Sequence, residues 1–470
     1  MANIDPFILR HLSNMQPDLY WLDSDPLEPQ PHSLLIGDVT TDLCVVGAGY
    51  TGLWTALLAK QREPEREVII IEKSWTGAGA SGRNGGFCNN SLTHGFVNGY
   101  ARFADEMATI ERLGRENMDA IEATIKEFGI ECDWRRTGEL RVADAPWQMP
   151  LLVEEARLRN EYGDHVEVLS KEDTFARVAS PTYTGALWDP DGTALVDPAR
   201  LVWGLERACL KLGVKIFENS EVTSLERTRD GMIVHAPYGS IYAQKVALAT
   251  NVFPSLVRKA RKYVVPVYDF QLVTEPLTAE QHEAIGWKGR EGISESRNQF
   301  HYYRMTAEGE ILWGGYDAIY NFRGKVREEY ERSADTYAHL AADFLETFPQ
   351  LKGIKFTHGW GGAIDTCSRF SPFWGTAHKG RVAYVLGFTG LGVAATRFGA
   401  DVMLDLLDEV DSERTRLKMV RKKPIPFPPE PFRWLLIRLT QWSINRADHH
   451  EGKRNLWLKL LDSIGLGFDS

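Results

Sequence analysis

The most constraining feature of the 470-residue chain is a short run that begins at Thr41. Leu43-Cys44-Val45-Val46 is continuously apolar, as a strand buried on both faces requires, and Gly47-Ala48-Gly49-Tyr50-Thr51-Gly52 follows at once. Leu53, Ala56, Leu57 and Ala59 then recur at helical spacing. Gly47 permits a tight turn, Gly49 lets the amides of Tyr50 and Thr51 approach a pyrophosphate, and Gly52 lets the helix lie close to the strand. A second apolar strand, Val68-Ile69-Ile70-Ile71, ends in Glu72 and Lys73. A carboxylate at that distance from the glycines accepts hydrogen bonds from ribose hydroxyls and disfavours a 2'-phosphate. The glycine spacing alone is weak. The order strand, glycines, helix, strand and terminal Glu carries the dinucleotide reading, and with it an α/β fold.

Bulk properties narrow the class. The length suggests two intimately packed domains. A formal net charge of -10 disfavours a broad nucleic-acid footprint, so no nucleic-acid partner is expected. Cys44, Cys88, Cys132, Cys209 and Cys367 show neither a disulfide framework nor zinc-ligand spacing, which predicts no metal site and suits a reducing cytoplasm. Residues 1–21 lack the apolar stretch of a signal peptide, and no later run reaches transmembrane length.

About ten residues past Glu72 lies Gly79-Ala80-Ser81-Gly82-Arg83-Asn84-Gly85-Gly86, too glycine-rich for a helix and suited to close backbone approach to a phosphate or a flat ring. This stretch resembles the second FAD-binding motif of the D-amino acid oxidase superfamily of FAD-dependent oxidoreductases, in the subgroup of gamma-glutamylputrescine oxidoreductase-like amine oxidases. Further matches are Val196-Asp197-Pro198 with a helix to Gly213, a strand ending near Val222, Ala249-Thr250-Asn251, and the strand and turn Tyr384-Val385-Leu386-Gly387-Phe388-Thr389-Gly390-Leu391-Gly392-Val393 before a helix through Ala394, Phe398 and Met403. The N-terminal Tyr20-Trp21, Val265-Pro266-Val267 leading to Thr274-Glu275-Pro276-Leu277, and Ser368-Arg369 extend the resemblance over roughly 15–410.

The resemblance implies non-covalent FAD and a glycine/sarcosine oxidase-like fold of α/β class with an α+β substrate part. Its discontinuous Rossmann-type FAD domain comprises 38–100, 185–252 and 357–412; an antiparallel-sheet substrate domain comprises 101–184 and 253–356; 1–37 is an N-terminal arm and 413–470 a C-terminal extension. The helix beginning at Gly392 would set its positive end against the flavin. Family members often have His where Leu391 stands. No second strand-plus-glycine unit for a pyridine nucleotide follows, so reducing equivalents come from the substrate. The implied chemistry is oxidation of a primary or secondary amine by hydride transfer to the flavin, giving an imine that hydrolyses to a carbonyl and an amine, with molecular oxygen or another electron acceptor completing the cycle.

Tyr268, Gln271, Tyr302, Arg304 and Trp360 are candidates for the substrate cavity because they lie in segments resembling the sheet above the flavin. Arg304 either anchors a substrate carboxylate or braces the sheet, Arg369 either contacts substrate or braces the C-terminal flavin loop, and Trp360 has core packing as its alternative. Amino-acid oxidases of the superfamily often carry an Arg where Ile364 falls, which disfavours a simple α-amino acid. Sarcosine-type members use a Lys near the flavin to assist oxygen, whereas Ile311-Leu312-Trp313-Gly314-Gly315 has none. An amino-acid dehydrogenase using a quinone or other acceptor is the alternative enzyme, and a flavin-binding protein without turnover the alternative of another class.

Between Phe103 and Phe128, Met107, Ile110, Leu113, Ile121 and Ile125 predict a core helix stopped at Gly129. From 413 to 461 there are 12 Lys or Arg against 4 Asp or Glu, introduced by a linker from Pro424 to Pro431. Phe432, Leu435, Leu436, Leu439 and Trp442 form one apolar helical stripe beside Arg433, Arg438 and Arg446, to be packed on the body, in a homodimer, or on a membrane surface.

Overall fold

The computed structural model describes residues 5–23, 31–315 and 317–466, so the arm at 1–37 is described only in part. Gly37–Val46 runs parallel to Gly239–Leu248 on one side and to Val68–Ile71 on the other. Lys215–Phe217 and Val382–Leu386 continue the parallel sheet outward, and Phe373–Ala377 closes one edge antiparallel. Leu43 and Val45 point into a layer built with the helices Tyr50–Arg62, Pro198–Lys211 and Gly392–Leu407. Cys44 and Val46 point the other way, against Met232, Val234 and Ile241 of an antiparallel meander. Both faces are covered, which is why the strand reads as an unbroken apolar run.

The second sheet has the order Phe356–Cys367, Val264–Thr274, Ile311–Gly315, His301–Met305, Gly292–Glu295, Glu139–Ala143, Gly185–Asp189, Glu167–Leu169. Its pairs are antiparallel except Gly292–Glu295 with Glu139–Ala143. Alternation along Val264–Thr274 separates two environments. Tyr268, Phe270 and Leu272 enter a core shared with the helix Ala334–Thr347, whereas Val265, Val267, Asp269 and Gln271 line a cavity between the sheets.

Some boundaries differ from those drawn on the sequence. Divisions at 185 and 357 would assign Gly185–Asp189 and Phe356–Cys367 to the nucleotide domain, but both pair within the second sheet. Their neighbours along the chain do enter the first sheet or its helices, so local sequence carries little sign of the switch. No strand ends near Val222: the strand stops at Phe217, and an irregular segment brings Val222 to the cavity. The helix expected across 103–128 begins at Met107, after a separate helix Gly95–Phe103 and one tight turn; Gly129, at φ 64°, stops it in the left-handed conformation.

The C-terminal extension forms helices Phe432–Asp448 and Leu456–Ser463. Ile444 and Ala447 of the first pack on Leu458 of the second. The stripe at Phe432, Leu435, Leu436, Leu439 and Trp442 stays partly open, its side chains 38–62% exposed, and Leu436 also lines the cavity between the sheets. Among the described residues no helix is long and apolar enough to cross a membrane.

Candidate active site

The nucleotide end is built by strand termini. Glu72, just past Val68–Ile71, accepts hydrogen bonds from the backbone N–H groups of Ala48 at 2.8 Å and Ser74 at 2.9 Å, which ties the glycine turn to the neighbouring strand. Burial raises its carboxyl above the usual range, opposed by those amides. The Tyr50 N–H donates to Ser81 Oγ at 2.9 Å, so the first turn also holds the second glycine-rich loop.

A continuous cavity of about 1660 Å³ runs from Gly47 and Glu72 to the second sheet. Every proposed nucleotide-contacting residue lines it except Gly52, Gly86 and Gly387. These three serve the backbone behind the wall. A Cβ on Gly52 would lie 1.8 Å from the Gly47 carbonyl oxygen, and one on Gly86 would lie 2.2 Å from that of Val196. Gly387 packs on Cys367, and its N–H, with that of Phe388, donates to Asp365. Burial pushes Asp365 up to about 7, against the pull of these amides. The helix Gly392–Leu407 begins at the same wall with no side-chain cap on its first N–H groups, leaving them to a ligand. Thr250 Oγ1 and Asn251 Oδ1 are buried, line the cavity and have no hydrogen-bond partner among the described residues. Open amides, orphaned polar atoms and the Glu72 carboxylate suit a long ligand carrying phosphates and hydroxyls, as FAD does.

The five residues drawn from the sequence as substrate contacts divide. Gln271 and Tyr302 line the cavity. Tyr268 faces the opposite core, where its hydroxyl and the Arg327 N–H meet at 3.0 Å, because even-numbered positions of its strand point away from the cavity. Trp360 donates from Nε1 to the Arg83 carbonyl at 2.9 Å and lies behind the loop. Arg304 is buried, with Nη1 donating to the Val196 carbonyl at 2.5 Å and the Gly86 carbonyl at 3.3 Å. Burial lowers its guanidinium to about 10, opposed by Asp133 and Asp197. Arg304 and Trp360 therefore grip the 79–86 loop, assisted by Trp21 Nε1 donating to the Asn84 carbonyl at 2.9 Å. Arg369 likewise binds carbonyls, those of Ser371, Pro372, Met419 and Lys422. Replacing Arg304 with Met is expected to cost about 1–3 kcal/mol of stability by stranding the Val196 carbonyl, with substrate affinity of the surviving holoenzyme unchanged. Denaturant unfolding beside substrate titration checks this.

The strongest feature that sequence reasoning missed is Asp269. Its carboxylate accepts the Tyr302 hydroxyl at 2.6 Å and the Phe270 N–H at 2.9 Å, and burial lifts it to about 6 despite those bonds. Tyr302 lies against Gly85, so the pair stands over the glycine-rich loop. Period-two alternation from Gln271 would have found Asp269. His94 also lines the cavity, and burial lowers its imidazole to about 4. Five guanidiniums line the cavity: Arg83 pairs with Glu331 and Arg141 with Glu155, both at 2.7 Å, and Arg327 with Glu329 at 2.6 Å, while Arg261 and Arg433 donate to the Ser255 and Pro428 carbonyls at 2.7 and 3.0 Å. Ile364 approaches Gly390 at the flavin-side wall, a position that offers a carboxylate no partner. Cys367 is a buried thiol directed at the Ser371 and Gly387 carbonyls, and all five cysteines are buried and free.

Comparison with known proteins agrees with this architecture. The family model described as DAO, FAD dependent oxidoreductase, matches residues 42–406. Gamma-glutamylputrescine oxidoreductase of Escherichia coli K12 is 32% identical over 401 residues, covering 82% of this chain and 87% of that protein. Among solved structures, glycine oxidase from Geobacillus kaustophilus superposes with a TM-score of 0.68 at 18% identity, covering 82% of this chain and 99% of that one. L-proline dehydrogenase from P. horikoshii gives 0.66 at 17%, with 83% and 96% covered. With this family match over most of its length and a relative above 30% identity, the chain belongs to the DAO family of FAD-dependent oxidoreductases.

Proposed function

We propose that this enzyme oxidises a primary or secondary amine that lacks an α-carboxylate. The observation carrying this reading is the buried Asp269–Tyr302 pair on the cavity wall, with Arg83, Arg141 and Arg327 of the lining paired with acids and Arg261 and Arg433 donating to backbone carbonyls. An amine enters as an ammonium and must be neutral to release hydride from its α-carbon. Asp269 accepts that proton, its hydrogen-bonded Tyr302 fixes the carboxylate, and Gln271 on the same face confines the substrate. When bound, FAD supplies the two-electron acceptor for the hydride. The product imine hydrolyses to a carbonyl compound and ammonia or an amine. The similarity to gamma-glutamylputrescine oxidoreductase supports an amine substrate.

We assign molecular oxygen as the acceptor, reduced to hydrogen peroxide, and the five free cysteines favour the cytoplasm. Anaerobic titration of the flavin-loaded protein with amines and amino acids tests the substrate class. Bleaching of the flavin absorbance by amines without a carboxylate is the expected result; bleaching by amino acids alone overturns it. Peroxide formed on admitting air tests oxygen; an amine-reduced enzyme that stays bleached in air requires another acceptor.

A further inference from the structure

We propose that the C-terminal helical hairpin docks the enzyme on an anionic lipid surface. This inference stands independently of the substrate assignment.

The hairpin lies beyond the family match, which ends at residue 406. Polar contacts tie it to the body. Asp448 accepts from the Asn298 and Gln299 N–H groups, and Glu430 accepts the Tyr320 hydroxyl at 2.6 Å and the Arg323 N–H at 3.1 Å. Much of its apolar surface is open. Of 23 large hydrophobic side chains exposed among the described residues, 8 fall between Phe432 and Ile464. They form two helical stripes, one at Phe432, Leu435, Leu436, Leu439 and Trp442, the other at Leu456, Leu460 and Ile464, the last three 51–87% exposed. Stripes with this spacing normally mark a core face, so leaving both in water requires a partner.

Charge selects that partner. The hairpin itself, residues 432–464, carries 6 basic against 3 acidic side chains in a chain of net charge -10. Arg438, Arg446 and Lys459 are exposed within or beside the stripes. An anionic bilayer attracts this end and repels the acidic remainder, which fixes the orientation, while Trp and Leu side chains enter the headgroup boundary. A second copy of the chain would bring the same basic surface against itself. The cavity reaches the hairpin, since Leu436, Ile437, Ile444, Trp457 and Leu461 line it.

The test is sedimentation of the full-length holoenzyme with vesicles of phosphatidylglycerol and phosphatidylcholine, against phosphatidylcholine alone. The expected result is cosedimentation only with the anionic vesicles, weakening as salt rises from about 50 mM to about 500 mM. Two variants at exposed positions check the two contributions: Leu435→Glu/Trp442→Glu/Leu460→Glu, and Arg438→Glu/Arg446→Glu/Lys459→Glu. Each is expected to lower partitioning at least about tenfold with flavin absorbance and thermal midpoint unchanged. Equal recovery with both vesicle types, or partitioning unaltered in both folded variants, overturns the proposal. So does a wild-type dimer in solution that the apolar substitutions dissociate.

Discussion

Gly52→Ala is expected to purify without bound flavin. The new Cβ would fall 1.8 Å from the Gly47 carbonyl oxygen and 3.0 Å from its carbonyl carbon, both backbone atoms that no side-chain rotation can clear. Relief requires the helix Tyr50–Arg62 to move away from the strand Gly37–Val46. That movement carries the Ala48 N–H away from Glu72, now 2.8 Å apart, and spoils the turn that presents amides to the pyrophosphate. Overpacking of this kind costs roughly 3 kcal/mol, which referred to the cofactor-binding state corresponds to on the order of 100-fold in FAD affinity. The ratio of flavin to protein absorbance in the purified variant, with circular dichroism to establish folding, is the measurement. A folded variant with wild-type flavin content would mean that the turn does not hold the dinucleotide.

Asp269→Asn is expected to lower kcat/KM for the amine by about 100-fold or more, the usual consequence of removing a proton acceptor. The carboxylate uses one oxygen for each bond, so Asn keeps its oxygen for the Phe270 N–H and offers its amide N–H to the Tyr302 oxygen in place of the other; the geometry survives while the base is lost. The pH dependence separates this role from simple packing. Burial raises the Asp269 carboxyl to about 6 from an ordinary value near 3.8, so the wild-type profile gains activity as pH rises through about 6, and the Asn variant lacks that limb. Stability runs the opposite way. Between the two values the folded state holds a proton that the unfolded state has released, so ionising Asp269 costs stability as pH rises across this window. Above it the Asn variant is therefore expected to unfold at a higher temperature than wild type. A variant retaining both the rate and the acid limb would remove Asp269 from the chemistry.

The DAO-family reading and the FAD requirement were legible in the sequence because local constraints carry them. A parallel strand covered on both faces must be apolar throughout, the turn at 47–52 must lack side chains, and a carboxylate must close the next strand; all of these fall within some thirty residues. The substrate side was less legible. Its residues sit on strands whose facing is set by alternation, so a candidate one position out of phase points into the opposite core, as Tyr268 does beside Asp269. Arg304 and Trp360 have residue types that suit a substrate cavity equally well, and only their distances to the Val196 and Arg83 carbonyls assign them to bracing the loop.

The amphipathic C-terminal stripe was equally plain as a pattern, but periodicity says only that a helix has an apolar side. Whether that side meets the body depends on which surface the polar anchors Glu430 and Asp448 reach, and they hold the helix with the stripe partly open. The sequence by itself thus determined the features whose requirements are met by neighbours along the chain: the glycine turns, the buried parallel strands and, through them, the FAD-dependent family. The tertiary structure alone decided the features made by residues far apart in sequence. Asp269 meets Tyr302 across strands, Arg304 reaches back to Gly86, and residues beyond 430 complete a cavity that begins at Gly47. The physical reason is that a side chain's environment is set by register and packing across the fold, which one-dimensional spacing constrains only in period.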